Sequence, residues 1–263
     1  MKNLLLQLFL FLVSCASSTE KGEIGVNRRQ LLLVPSDYIT QLSAQDYENV
    51  KQDAQVKNEL DKNPIVVQRL QNIAKRIIPQ TVVFRADAPG WKWEVHAITS
   101  EQLNAYCMPG GKIIFYTGII DKLHLTDGEI AAIMGHEISH ALREHGRERM
   151  SEALVEQLGL GLLVGSNTIN PKYAGATSQL VSTVIALPHS RGQETEADEI
   201  GLELMARAGY DPHEAVNLWN KMTRAGGGKP PEFLSTHPAD ERRIKDIESL
   251  LPKTYPLYKK ARG

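Results

Sequence analysis

Residues 126–145 read TDGEIAAIMGHEISHALREH, and the spacing inside this stretch decides how the rest is read. His136 and His140 are four apart. On a helix that puts both imidazoles on one face, one turn apart, so two ring nitrogens can grip one metal ion. Glu137 lies about 100° round from His136 and can reach a water on that metal without binding the metal itself. The helix is signalled locally. Thr126 and Glu129 have the spacing of a capping box, and Leu125 and Ile130 hold the hydrophobic-staple positions. Ile130, Met134, Ile138 and Ala141 then form an apolar stripe at helical spacing.

The composition sets bounds on the remainder. A chain of 263 residues suits one domain of ordinary size plus an appendage. Hydrophobic (42%) and charged (23%) contents are those of a soluble globular protein. A net charge of −1 leaves no basic excess to neutralise phosphates, which argues against nucleic-acid binding. The two cysteines, Cys15 and Cys107, have no zinc-finger spacing.

Residues 1–14 read as a targeting segment. Lys2 supplies a positive start, and residues 4–13 are apolar except for Gln7. That run is too short to span a bilayer and suits a signal sequence. Leu12-Val13-Ser14-Cys15 resembles the lipobox of bacterial lipoproteins. The resemblance implies cleavage before Cys15 and lipid on it. Ala16, where an aspartate is absent, implies the periplasmic face of the outer membrane. The expected organisation is a signal peptide (residues 1–14), a lipid-anchored tether (15–30) and a single domain (31–263).

Along that domain, residues 43–60 suggest a polar helix. Asn63-Pro64 is a cap followed by proline in the first turn of a helix that Pro79 stops. Trp93, Val95 and Ala97 alternate with polar residues, as in a strand. Strands are also expected at residues 104–108 and 112–116, joined by the turn Pro109-Gly110-Gly111. Residues 167–175 read as a loop and 179–187 as an apolar run. Ser190 and Gln193 form a second capping box, opening a helix that ends at Ala208 before Gly209. On it, Glu194 and Asp198 share a face, where like charges repel unless a cation is near. Residues 226–231 read as a flexible linker, and a last helix is expected over 239–251.

Four separated motifs resemble those of the M48 zinc metallopeptidases, and within them the small periplasmic lipoprotein type. They are the edge strand Leu103-Asn104-Ala105-Tyr106-Cys107-Met108-Pro109-Gly110-Gly111, the HExxH helix, Glu194-Thr195-Glu196-Ala197-Asp198, and Thr236-His237-Pro238 with Arg243-Ile244. Cys107 departs from the pattern, standing where a small or apolar residue is usual.

The resemblance implies one Zn2+ per chain, held by His136, His140 and Glu194, with Glu137 as general base and water in the fourth position. Glu196 competes for the third place but lies about 200° from Glu194 on the helix. Asp198 should orient a ligand histidine. His237 is expected near the metal, as an oxyanion stabiliser, a self-inhibiting fourth ligand or a helix cap. His96, His124, His145, His189 and His213 are taken as structural or surface residues. Asn104, Gly110 and Gly111 should line the cleft, where a substrate peptide adds as a strand.

The expected fold is a mostly helical α+β zincin, gluzincin-like, with a small antiparallel or mixed sheet beside the HExxH helix. The expected function is zinc-dependent endoproteolysis of unfolded or mis-assembled envelope proteins. The alternative is an envelope chaperone or assembly factor whose protease site is silent or self-inhibited.

Overall fold

A computed structural model of the chain describes residues 15–163, 188–225, 232–238 and 241–263. The targeting segment, the loop at 167–175, the apolar run at 179–187 and the linker at 226–231 lie outside the described residues. In chain order come β1 (Cys15–Ala16), β2 (Gln30–Leu31), α1 (Ser36–Val56), α2 (Pro64–Ile77), β3 (Glu94–Ile98), β4 (Ala105–Met108), β5 (Lys112–Tyr116), α3 (Thr117–Lys122), α4 (Asp127–Leu142), α5 (His145–Leu163), α6 (Arg191–Arg207), α7 (His213–Ala225), α8 (Glu232–Thr236) and α9 (Glu241–Arg262). The chain is mostly helical, and the described residues form one three-stranded sheet against the helices and one two-stranded ribbon.

Local sequence sets most boundaries. The Asn63 side chain accepts from the backbone N–H groups of Ile65 and Val66 and starts α2 at Pro64. The sheet order is β3–β5–β4, with β3 parallel and β4 antiparallel to the central β5. The β4–β5 hairpin turns through Gly110 (φ 82°) and Gly111 (φ 85°), a left-handed pair that side chains resist. A Cβ on Gly111 would come within 2.6 Å of the Trp93 ring, so glycine is also needed for space.

α4 is the axis of the molecule. Both halves of its capping box form: Glu129 N–H donates to Thr126 Oγ1 (3.2 Å), and Thr126 N–H to Glu129 Oε2 (2.8 Å). The expected apolar stripe is only part of what it buries, since residues 129–142 are buried on every face. The reason is packing on all sides, by α6, α2, α7 and β4. α6 opens with the Ser190–Gln193 capping box. It crosses α4 where Gly135 faces Gly201, and a Cβ on Gly201 would stand 2.7 Å from the backbone N of His136. Two glycines thus allow backbone contact between the two helices that carry the candidate ligands.

Two segments differ from expectation. α9 runs past residue 251 to Arg262, carrying Pro252 and Pro256 inside it. Within residues 15–30, expected as a tether, the chain packs on the domain. Ile24 and Val26 are buried in the main core, and the N–H groups of Glu23 and Ile24 donate to the buried Glu203 carboxylate on α6.

Candidate metal centre

The α4–α6 crossing, with the loop after α8, brings four donors together. His136 Nε2 lies 3.0 Å from His140 Nε2 and 3.2 Å from His237 Nδ1. Glu194 Oε1 lies 2.9 Å from His237 Nδ1 and 3.3 Å from His140 Nε2, and Glu194 Oε2 is 3.6 Å from His136 Nε2. Donors about 2.0–2.1 Å from a tetrahedral ion stand roughly 3.4 Å apart, so the set has the dimensions of a zinc shell. All four residues are buried. Among the described residues a second group, His140, His145 and His189, is also close enough to share an ion.

The hydrogen bonds define which nitrogens face inward. His136 Nδ1 is 2.9 Å from Asp198 Oδ1, which can only accept, so the Nδ1 carries the proton and Nε2 a lone pair. His145 Nε2 is 3.0 Å from Glu196 Oε2 and donates to it. The Nδ1 of neutral His145 then accepts from His140 Nδ1 at 2.8 Å, leaving a lone pair on His140 Nε2 as well. Two lone pairs therefore face each other at 3.0 Å, an arrangement that a shared cation relieves. Burial pushes the pKa of His140 well below its ordinary value, keeping the ring neutral as a ligand must be. One buried carboxylate oxygen beside them, Glu137 Oε1, accepts no hydrogen bond. The donor set, with Glu137 Oε1 beside it, fits a zinc ion.

Arg243 ties the carboxylates in place. Its guanidinium makes a fork on Asp198, Nε to Oδ2 at 2.5 Å and Nη2 to Oδ1 at 2.8 Å, and its Nη1 is 2.6 Å from Glu194 Oε2. It lies over the Trp219 ring, 3.7 Å from the centroid. Burial alone would favour the neutral acids. His237, Arg243 and His136 outweigh it and hold Glu194 well below the usual carboxylate range, and Arg243 and His136 lower Asp198. Glu137 goes the other way. Burial first, then the Glu194 charge, raise its pKa, as suits a proton carrier. His237 Nε2 stands 3.4 Å from Glu137 Oε1, and the two glutamates raise the His237 pKa against the effect of burial.

The remaining residues singled out in the sequence are placed as follows. Asn104 precedes β4, where its backbone C=O accepts from Tyr116 N–H and its side chain from Ala105 N–H. Gly110 and Gly111 lie in the hairpin turn against Thr40 and Trp93. β4 runs beside α4, and its outer edge pairs with no strand among the described residues. Cys107, the departure from the family pattern, is buried in the core. Burial, then the Glu137 charge, push its thiol pKa well up, so it acts as a small apolar residue. Cys15 forms part of β1.

Three roles were not read from the sequence. Glu196, weighed as a ligand, instead receives Arg143, Arg28 and His145. His145, taken as structural or surface, is fully buried between Glu196 and His140. His189 lies with its ring 3.9 Å from that of His140. Its ring neighbours His140, His145 and His237 lie more than 40 residues away on either side, so no local spacing signals them.

The chain belongs to Peptidase family M48, whose family model it matches over residues 64–251. Among curated relatives, the mitochondrial metalloendopeptidase OMA1 of Saccharomyces cerevisiae is 36% identical over 184 residues, covering 65% of this chain and 51% of the relative. Human metalloendopeptidase OMA1, mitochondrial, is 29% identical over 93% of this chain and 48% of its own length. The β-barrel assembly-enhancing protease of Escherichia coli is 24% identical over 74% and 41% respectively. The chain spans about half the length of the curated relatives it matches. These findings overturn the expected placement at the periplasmic face of the bacterial outer membrane. Fungal and plant relatives at 36–37% identity are mitochondrial enzymes, and bacterial ones stand lower, at 24–26%. The placement had rested on a short motif at residues 12–16, most of it outside the described residues.

Proposed function

We propose that the chain is a zinc-dependent endopeptidase, with His136, His140 and Glu194 as ligands and Glu137 as general base. The observation that carries this reading is the meeting of two inward imidazole lone pairs and the Glu194 carboxylate beside a buried Glu137 Oε1 that accepts no hydrogen bond. Zinc, when bound, lowers the pKa of water and polarises a carbonyl. Glu137 takes a proton from the attacking water and delivers it to the leaving amine nitrogen. Asp198 and Arg243 keep His136 and Glu194 oriented meanwhile. The outer edge of β4, starting at Asn104 and ending at Gly110 and Gly111, aligns an extended substrate by adding it as a strand.

Such a strand can form only from unfolded chain, so substrates present an unfolded segment. The names of the bacterial relatives, which refer to β-barrel assembly, support mis-assembled envelope proteins as the class. Glu137→Gln should retain zinc yet abolish casein cleavage; cleavage that survives rejects the mechanism. Lipid attachment at Cys15 is part of the proposal, and Cys15→Ser should release the protein from membranes.

The position of His237 favours a second reading, a site that inhibits itself. Its Nδ1, 2.9–3.2 Å from Glu194 Oε1 and His136 Nε2, stands where a fourth donor would. In that reading His237 must withdraw before substrate is cut, and an assembly-factor role needs no cutting. His237→Ala separates the two. Faster cleavage supports the switch, and slower cleavage assigns His237 to stabilising the oxyanion.

A further inference from the structure

His136 and His140 need a fixed ring orientation to serve one ion, and the support of His140 leads away from the active cleft. His140 Nδ1 meets His145 Nδ1 at 2.8 Å, and His145 Nε2 meets Glu196 Oε2 at 3.0 Å. Glu196 is held from the far side by Arg143 Nη2 (2.7 Å) and Arg28 Nη2 (2.8 Å). His145 and Arg143 are fully buried and Glu196 nearly so.

The outer end of this chain is N-terminal. Arg143 Nη1 donates to Ser17 and Thr19, and its Nη2 also to the Arg28 carbonyl. Arg28 forks onto Glu148 of α5, whose carboxylate also receives Gln30 and Gln193. Residues 17–30 thus tie the C-cap of α4 to α5 and α6. Removing them would take Arg28 from Glu196 and Glu148, and three acceptors from Arg143, leaving the buried Arg143–Glu196 pair under-satisfied, a costly state.

We propose that His145 is a positioning residue for His140, and that residues 17–30 are the clamp that holds this relay, so clamp docking and metal binding reinforce each other. The reinforcement is reciprocal: what the clamp adds to metal affinity, the metal adds to clamp stability. The inference rests on the zinc-ligand reading above.

The experiment measures zinc affinity by competition with a chromophoric chelator, and amide hydrogen exchange at Glu23 and Ile24 with and without zinc, in the full chain. In His145→Leu the affinity should fall roughly 10–100-fold. His145→Asn, whose amide oxygen can accept the His140 proton, should recover most of it, and Arg28→Ala should show a smaller loss. Zinc should slow exchange at Glu23 and Ile24 in the wild type but not in Glu196→Gln. Unchanged affinity in His145→Leu, or an equal loss in His145→Asn, overturns the proposal. Should His145→Leu not fold, Glu196→Gln is held to the same affinity criterion. Wild-type protein that takes up no zinc fails the ligand reading; wild type that binds while every variant binds equally fails the relay and the clamp and leaves the ligand reading standing.

Discussion

The two imidazoles that face the centre are supported by different means. His136 leans directly on a carboxylate, Asp198, fixed by a two-pronged Arg243 from α9. His140 leans on a neutral ring, His145, with its carboxylate one step further out and arginines beyond that. The first support is short and drawn from the C-terminal half. The second is long and ends in the N-terminal segment. A direct carboxylate raises the basicity of a ligand most strongly. An imidazole relay instead lets a distant segment take part in metal binding.

The largest expected effect comes from the short arm. Arg243→Leu would leave Asp198 and Glu194 buried without their cation, costing about 3–5 kcal/mol. That corresponds to a melting temperature lowered by roughly 10 °C for a domain of this size, read by thermal unfolding in the presence of a chelator. A loss of a degree or two would mean that the two carboxylates are solvated by other routes.

Gly201→Ala strikes both arms at once, because its methyl would meet the backbone of His136 at 2.7 Å. Backbone has to move, so a loss of about 1–3 kcal/mol is expected, with weaker zinc binding. An alanine variant that keeps wild-type affinity would show that the helices can separate without disturbing the ligands.

The pH dependence tests the long arm. His145, Arg28 and Arg143 outweigh burial and hold the Glu196 pKa at about 2. A folded-state value below the ordinary 4.5 means that its contribution is complete above about pH 4.5. That contribution is lost as pH falls through about 2. It amounts to about 3 kcal/mol at most by linkage. Denaturant unfolding at pH 6 and pH 3 should show a loss that Glu196→Gln makes smaller. Glu94, also held near 2 by Lys112 and Lys51 against burial, should contribute less, since it is partly exposed and screened. Equal slopes for the two proteins would remove Glu196 from the relay.

Much of this frame could be read from local spacing. The two capping boxes, the period-two strands and the left-handed glycine turn involve residues a few positions apart. So does the placing of His136, His140 and Glu194 on helix faces. What could not be read depends on which faces meet. Gly135 and Gly201 look like ordinary helix glycines until α4 and α6 cross. Arg243 stood in a recognisable motif, yet its partners lie about 45 residues earlier. The parallel β3–β5 pairing requires β4 to fall outside its sequence order. The N-terminal segment looked like a tether because it is polar. Its few apolar residues, Ile24 and Val26, and the buried hydrogen bonds of its backbone tie it down. The cellular placement failed for a related reason: a five-residue motif says little about where a whole chain resides.

The central claim is that donors from two helices far apart in sequence hold a single ion. The direct measurement is zinc content per chain, by elemental analysis after dialysis against buffered zinc, in wild type and in Glu194→Ala. One zinc in the wild type, with nearly none retained by a folded Glu194→Ala, is the result expected. A full zinc complement in both proteins would contradict it, because the carboxylate of α6 would then be no ligand at all.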